Sequence, residues 1–332
     1  MSRTSLALSL SLAFLLLLMA FAGLMTGFAP IGPGAVLQGL LSDPDTDKMA
    51  LIVQDIRAPR LIVGMLVGAA LGMSGAALQG LLRNPLADPG VIGVSASAGL
   101  GAVLAIYYGA AAITVYAIPG FAMLAALVST LLLYALARRD TSVLTLILVG
   151  VGIASLAGAL TSLAMNLSPN PFSLAEMVLW LLGSLANRSH TDVLLAGPFV
   201  ALGLGCLLAA ARPLRALTLG EETAASIGVN LVRTRILVIL GTSLSVGAGV
   251  SVTGSIGFVG LIVPHMLRPF VGADPARLLI PSALGGAILI TVADLFIRLI
   301  PTDQELKLGV LTAILGAPVF LALVIRTRRS MR

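Results

Sequence analysis

Between Arg60 and Arg83 the chain reads Leu61-Ile62-Val63-Gly64-Met65-Leu66-Val67-Gly68-Ala69-Ala70-Leu71-Gly72-Met73-Ser74-Gly75-Ala76-Ala77-Leu78-Gln79-Gly80-Leu81-Leu82. No charge interrupts it, and its recurring glycines suit helices that pack closely through small residues. A helix needs roughly 20 mostly apolar residues to cross a bilayer, so residues 61–82 predict one crossing. Working outward, similar runs predict spans at 5–28, 90–108, 114–137, 142–166, 191–211, 235–253, 256–271, 278–299 and 308–325. The run at 256–271 is the weakest, being short and broken by Pro264 and Arg268. The expected fold class is an all-α polytopic membrane protein with about ten transmembrane helices, in a single transmembrane domain over 1–332.

Composition gives the same answer. Of 332 residues, 58% are hydrophobic and 10% charged, whereas a soluble domain carries about 25% charged residues. Most of this surface cannot face water. The net charge of +6 does not point to nucleic acid, because no basic stripe with interleaved aromatics occurs. The arginines flank apolar runs, which is a signature of membrane topology.

Counting them sets an orientation. With both termini cytoplasmic, the inside segments hold Arg3, Arg83, Arg138, Arg139, Arg212, Arg215, Arg233, Arg235, Arg268, Arg277, Arg326, Arg328, Arg329 and Arg332. Outside lie only Lys48, Arg57, Arg60, Arg188, Arg298 and Lys307. This bias obeys the positive-inside rule and agrees with both termini lying inside. Arg3, an apolar stretch and Ala20-Phe21-Ala22 imitate a cleavable signal. The apolar run continues past that site, so a retained first helix is expected.

Two segments read as periplasmic. Residues 29–60 hold three prolines before Arg57-Ala58-Pro59-Arg60, with Asp43, Asp45, Asp47 and Asp55, and suggest a loop with a short helix. Within 167–190, residues 172–187 read as a short amphipathic surface helix carrying Glu176 and Trp180. Residues 60–93 and 235–268 also echo each other: each opens on Arg, runs through a Gly-spaced apolar helix and ends in a Gly/Pro-rich break. Five spans separate their starts, so such copies would be inverted, as in many transporters.

No catalytic set is visible. The chain has no GxxxxGK[ST] phosphate loop, no HExxH and no plausible Ser/His/Asp group, so an enzyme is not expected. The single Cys206 excludes an internal disulfide or a cysteine metal site. His190 and His265 fall at opposite membrane faces. Asp294 is the one acidic residue clearly at depth, one turn from Arg298, and reads as half of an i,i+4 pair. An ion pathway normally shows several buried ionisable groups, so no metal site is expected, and a large solute in a weakly interacting path fits better.

Three stretches remain. Arg83-Asn84-Pro85-Leu86-Ala87-Asp88-Pro89-Gly90 forms a rigid inside turn. Gly220-Glu221-Glu222-Thr223-Ala224-Ala225-Ser226-Ile227-Gly228 lies in the longest inside loop. It reads as two short helices, with Gly220 breaking the chain, acids suiting a helix N-terminus and Gly228 a C-terminal stop, giving either a docking knob or an ordinary connector. Gly257-Phe258-Val259-Gly260-Leu261-Ile262-Val263-Pro264-His265-Met266-Leu267-Arg268 is too apolar for a loop and too broken for a plain helix.

Together these stretches resemble the FecCD family of ABC importer permeases for cobalamin, haem and ferric siderophores. The matching pieces are Arg57-Ala58-Pro59-Arg60, Ser74-Gly75 with Gln79, Asn84-Pro85-Leu86-Ala87, Gly220-Glu221-Glu222, Gly257 to Arg268, and Leu315-Gly316-Ala317-Pro318-Val319-Phe320. They run in order from about residue 55 to 325.

The resemblance implies a dimer of ten-helix permeases, two cytoplasmic ATPases that carry the ATP and Mg, and a periplasmic binding protein; it implies no cofactor in this chain. The segment 213–230 corresponds to the family's ATPase-coupling region, with Gly220, Glu221, Glu222, Ala225 and Ser226 as contact residues. Arg57, Arg60 and Arg298 correspond to basic positions that meet acidic residues of the binding protein, a complementarity that sets register and association rate. Asn84, Pro85 and Leu86, with Thr141 and Ser142, correspond to the cytoplasmic gate. The fifth and tenth helices would line a path between the copies. The expected cargo is an intact iron chelate, haem or ferric siderophore, with cobalamin the alternative within the family. An inverted-repeat secondary transporter is the competing class, and it gives the 213–230 loop no role.

Overall fold

The computed structural model describes residues 3–27, 29–137, 143–300 and 305–330. Among them there is no strand. In chain order the principal helices are α1 (Arg3–Met25), α2 (Ala58–Leu81), α3 (Val94–Tyr107), α4 (Ala117–Ala137), α5 (Val143–Asn166), α6 (Pro171–Leu181), α7 (His190–Ala209), α8 (Glu221–Ser226), α9 (Leu231–Thr253), α10 (Val259–Leu267), α11 (Pro275–Leu299) and α12 (Leu308–Ser330). Each sequence-predicted span coincides with one helix. α6 is the short surface helix, and it stops where Gly183 turns left-handed. Residues 29–60 are more helical than the sequence suggested. Pro33–Leu41 is a helix, and from Lys48 the chain runs through a π-helical turn, Leu51–Arg57, straight into α2. The wide turn is seen where Ala58 N–H reaches back to Val53 O, just before Pro59, which has no N–H to offer.

Burial separates an inner from an outer layer. In their most apolar stretches α2 and α9 are 78% buried and α11 is 61% buried, against 17% for α1. α2 and α11 cross antiparallel with backbones almost touching: a Cβ on Gly68 would overlap the Gly286 carbonyl, and one on Gly72 the Ser282 carbonyl. Small residues are what permit this approach in a membrane. α2 and α9 are also antiparallel. Ser74 meets Ser245 hydroxyl to hydroxyl at 3.2 Å, and Val67 lies against Gly249. The two segments of the internal echo thus run in opposite directions.

Their breaks differ. After α2 the chain makes a compact turn over 82–93, whereas after α9 residues 254–257 leave the helical pattern. α10 then begins at half depth, where Gly260 faces the Leu71 carbonyl and Gly75. The weakest predicted span is therefore half a helix, entered through a non-helical segment. Backbone like this survives at membrane depth only when covered by protein. Here Ser184 N–H donates to Thr253 O at 2.8 Å, and Gly309 N–H to Gly183 O at 3.3 Å.

Candidate functional site

The candidate side chains gather at the two ends of the bundle. One end brings together the C-termini of α1, α9 and α11 with the N-termini of α2 and α12; it is called the Arg60 end. The other holds the 82–93 turn, residues 211–230 and the start of α11, and is called the Glu221 end.

At the Arg60 end Asp294, on α11, is 3% exposed and is the hub. Arg60 donates to it at 2.7 Å (Nη2) and 3.0 Å (Nε), and also pairs with Glu305. Arg298, one turn along α11, donates to the same carboxylate through Nε at 2.9 Å. The expected i,i+4 pair exists, but it is one arm of a bridge between α2 and α11. Arg298 Nη1 also donates to Gly23 O and Thr26 O, each at 3.0 Å. Arg57, only 6% exposed, donates to Leu24 O at 2.7 Å, Met25 O at 2.9 Å and Ala29 O. The last carbonyls of a helix lack partners within it, and two arginines supply them for α1.

Arg57, Arg60 and Arg298 therefore meet, as side chains that serve one docking surface would, yet each guanidinium is engaged inside the chain. More accessible at this end are Lys48 and the pair His190–Asp55 at 3.2 Å.

The Glu221 end is built the other way. Gly220 (φ 103°) and Gly228 (φ 90°) bracket α8, conformations that glycine adopts without strain. Ala224 is fully buried and Glu221 accepts from Arg235 of α9 at 3.0 Å, which fixes the knob. Glu222, Ala225 and Ser226 are exposed, flanked by exposed Leu219 and Ile227. Of the proposed contact residues, Gly220 and Glu221 shape the knob, while Glu222, Ala225 and Ser226 form its outer surface.

Beside it lies the proposed gate turn. Arg83 adopts φ 48°, Asn84 Oδ1 accepts from Leu86 N–H at 2.9 Å, and Pro85 and Leu86 are half-buried. Desolvation pushes the Asp88 carboxyl above its ordinary range, against the opposing Gly90 N–H. Thr141 and Ser142 lie outside the described residues.

Gln79 proves more central than its place in an apolar run implied. It is 1% exposed, and its amide nitrogen lies 3.3 Å from the carbonyls of Ala87, Gly260 and Leu261. Its oxygen accepts from Arg268. One side chain thus ties the 82–93 turn and the half-helix α10 to α2. The sequence signal was a lone amide at membrane depth, which needs partners. Among the described residues no group of three or more His, Cys, Asp or Glu is placed to hold a metal ion.

Comparison with known proteins decides the family. Residues 15–326 match the FecCD transport family. The chain belongs to the FecCD family. Among similar proteins, this FecCD chain is 41% identical over 289 residues to an uncharacterized ABC transporter permease, YvrB, of Bacillus subtilis, covering 85% of this chain and 80% of the relative. It is 37% identical over 320 residues to the vitamin B12 import system permease BtuC of Citrobacter koseri, covering 96% and 94%. Its fold matches the solved structure of a metal-chelate type ABC transporter in an inward-facing conformation, with TM-score 0.85, 33% identity and coverage of 96% and 98%. As a FecCD member it is the membrane permease component of an ABC importer rather than an enzyme, and it resides in the bacterial inner membrane.

Proposed function

We propose that this FecCD chain is the translocating subunit of an ATP-driven importer that carries an intact metal chelate from periplasm to cytoplasm, with its Glu221 end and both termini in the cytoplasm. The observation that carries this reading is the knob at 220–228, fixed at its base by Ala224 and the Glu221–Arg235 pair and presenting Glu222, Ala225 and Ser226 outward. Two copies of the chain would receive two ATPases there, with ATP and Mg bound to those subunits. A closing ATPase dimer can drive the helices only if its contacts differ between states, and an exposed, firmly based knob gives it a handle.

A periplasmic binding protein would dock at the Arg60 end. There Arg57, Arg60 and Arg298 would act chiefly by holding the rim in shape, since their guanidiniums already have partners. Asn84, Pro85 and Leu86, with Thr141 and Ser142, would form the cytoplasmic gate. The cargo is read as a chelate carried whole, because the described helices offer no ligand cluster to take a bare metal. The named relatives favour cobalamin as the first cargo to test, with haem and ferric siderophores as iron-bearing alternatives.

The test is uptake into proteoliposomes holding the permease with a candidate ATPase and binding protein. Cobalamin, haem and a ferric siderophore are offered in turn, each labelled on both metal and ligand. ATP-dependent entry of both labels together is expected for one of them. Metal entering without its ligand, or uptake that needs no ATPase, would overturn the reading.

A further inference from the structure

Along one flank of the bundle, two adjoining hollows of about 280 Å³ each run between α4 and α9. They share Thr130 and Leu240, so they form one groove, from Met123 near its upper end to Tyr134 at its lower end. Its open rim carries exposed Leu124, Leu127, Leu131 and Tyr134. Thr130 Oγ1 lies 2.7 Å from Ala126 O, to which its hydroxyl donates, and 2.6 Å from Ser243 Oγ, so the hydroxyls at its floor have partners within the protein. What remains to line it is hydrocarbon.

Length and width indicate the occupant. From 123 to 134 a helix rises about 16 Å at 1.5 Å per residue, close to half of the roughly 30 Å hydrocarbon core. A groove of this volume admits an alkyl chain but not a helix roughly 10–12 Å across. Charge supplies the other half of the argument. On α9 the lining residues of the groove include Ile236, Leu240, Ser243, Leu244 and Gly247, with Ile239 and Ala248 beside them. Arg233 precedes Ile236 by three residues and Leu240 by seven, a spacing that keeps it on the same helix face. Arg233 is exposed and, among the described residues, has no carboxylate partner, whereas Arg235 is taken by Glu221. It stands where the groove reaches the Glu221 end.

We propose that the α4–α9 groove is a binding site for an anionic phospholipid: one acyl chain lies along Met123 to Tyr134, and the phosphate pairs with Arg233. The proposal rests on the membrane placement that the family establishes and not on the cargo or the ATPase contact.

The test is native mass spectrometry of the full-length chain released from nanodiscs of equal phosphatidylglycerol and phosphatidylcholine. Preferential retention of phosphatidylglycerol is expected. A basic residue at the membrane surface contributes about 1 kcal/mol, or about fivefold, so Arg233→Ala should lower that preference about fivefold. Leu244→Trp, which fills the groove, should remove the retained lipid whatever its headgroup. If that variant folds poorly, Leu127→Trp fills the groove from the opposite wall. Equal retention of the two lipids by the parent chain would overturn the proposal, as would unchanged retention in a folded groove-filled variant. So would a disulfide between copies formed by Leu127→Cys, since a second chain would then cover the groove.

Discussion

At the Arg60 end, Asp294 draws Arg60 and Arg298 together while Arg57 and Arg298 occupy the carbonyls that finish α1. At the Glu221 end, one ion pair fixes a small helix whose remaining side chains point outward. Both ends carry charged residues in the sequence, and only burial and pairing show which are held and which are free. A cluster with every cation engaged is a clasp that holds helices in place. A knob with a single anchor and a free outer face is a surface awaiting a partner. The contrast separates stability from coupling: substitutions in the clasp should destabilise the fold, and substitutions on the knob's outer face should leave the fold intact while breaking the link to the ATPase.

The largest effect is expected from Asp294→Ala. Removing the buried acceptor leaves two mostly covered guanidiniums without their shared partner, a loss of about 3–5 kcal/mol for a broken buried pair. Thermal unfolding of the purified chain in detergent checks it, and a shift no larger than that of a surface substitution would break the comparison. Gln79→Leu should come next. It strips buried carbonyls of Ala87, Gly260 and Leu261 of a donor and leaves Arg268 unmatched, at about 1–3 kcal/mol. The same unfolding assay reads it, joined by faster protease cleavage in the 82–93 turn.

Smaller still is Glu221→Ala. The Glu221 carboxylate stays about a third open to water, which brings the pair near the surface range of about 0–1 kcal/mol, so the knob should loosen without unfolding the bundle, and ATPase co-purification should fall partway. Glu222→Arg and Ala225→Trp sit at the bottom of the stability scale, within about 0.5 kcal/mol as exposed positions. They sharpen the comparison most. Both should leave the unfolding temperature in place while transport-linked ATP hydrolysis is lost, and an unfolding shift rivalling that of Asp294→Ala would erase the distinction between the ends.

Much of this architecture was legible beforehand because a bilayer constrains it so tightly. Uninterrupted apolar runs such as 61–82 can do little except cross, and arginines mark where crossings end. The knob was legible for a local reason: Gly220, the acids after it and Gly228 are punctuation within nine residues. Contacts between distant residues were not legible. Arg60 and Asp294 are separated by 234 positions, and nothing in either neighbourhood names the other. Arg57 read as an outward-facing base because the sequence cannot show that α1 ends beside it. The half-helix α10 lay between these cases. Pro264 and Arg268 announced a break, but its depth depends on Gly75 and Gln79 of α2, and only packing reveals that. Phe258 illustrates the point. It holds φ 67° at the start of α10, against Gly316, a strained conformation for a bulky residue that no local pattern indicated.

The central claim is that the knob faces the cytoplasm and is covered there by the ATPase. With Cys206→Ala removing the native thiol, Ala225→Cys can be labelled by a membrane-impermeant maleimide in right-side-out and inverted vesicles, with and without the ATPase. Labelling should occur only in inverted vesicles and should fall sharply when the ATPase is bound. Labelling in right-side-out vesicles, or labelling unaffected by the ATPase, would contradict the account.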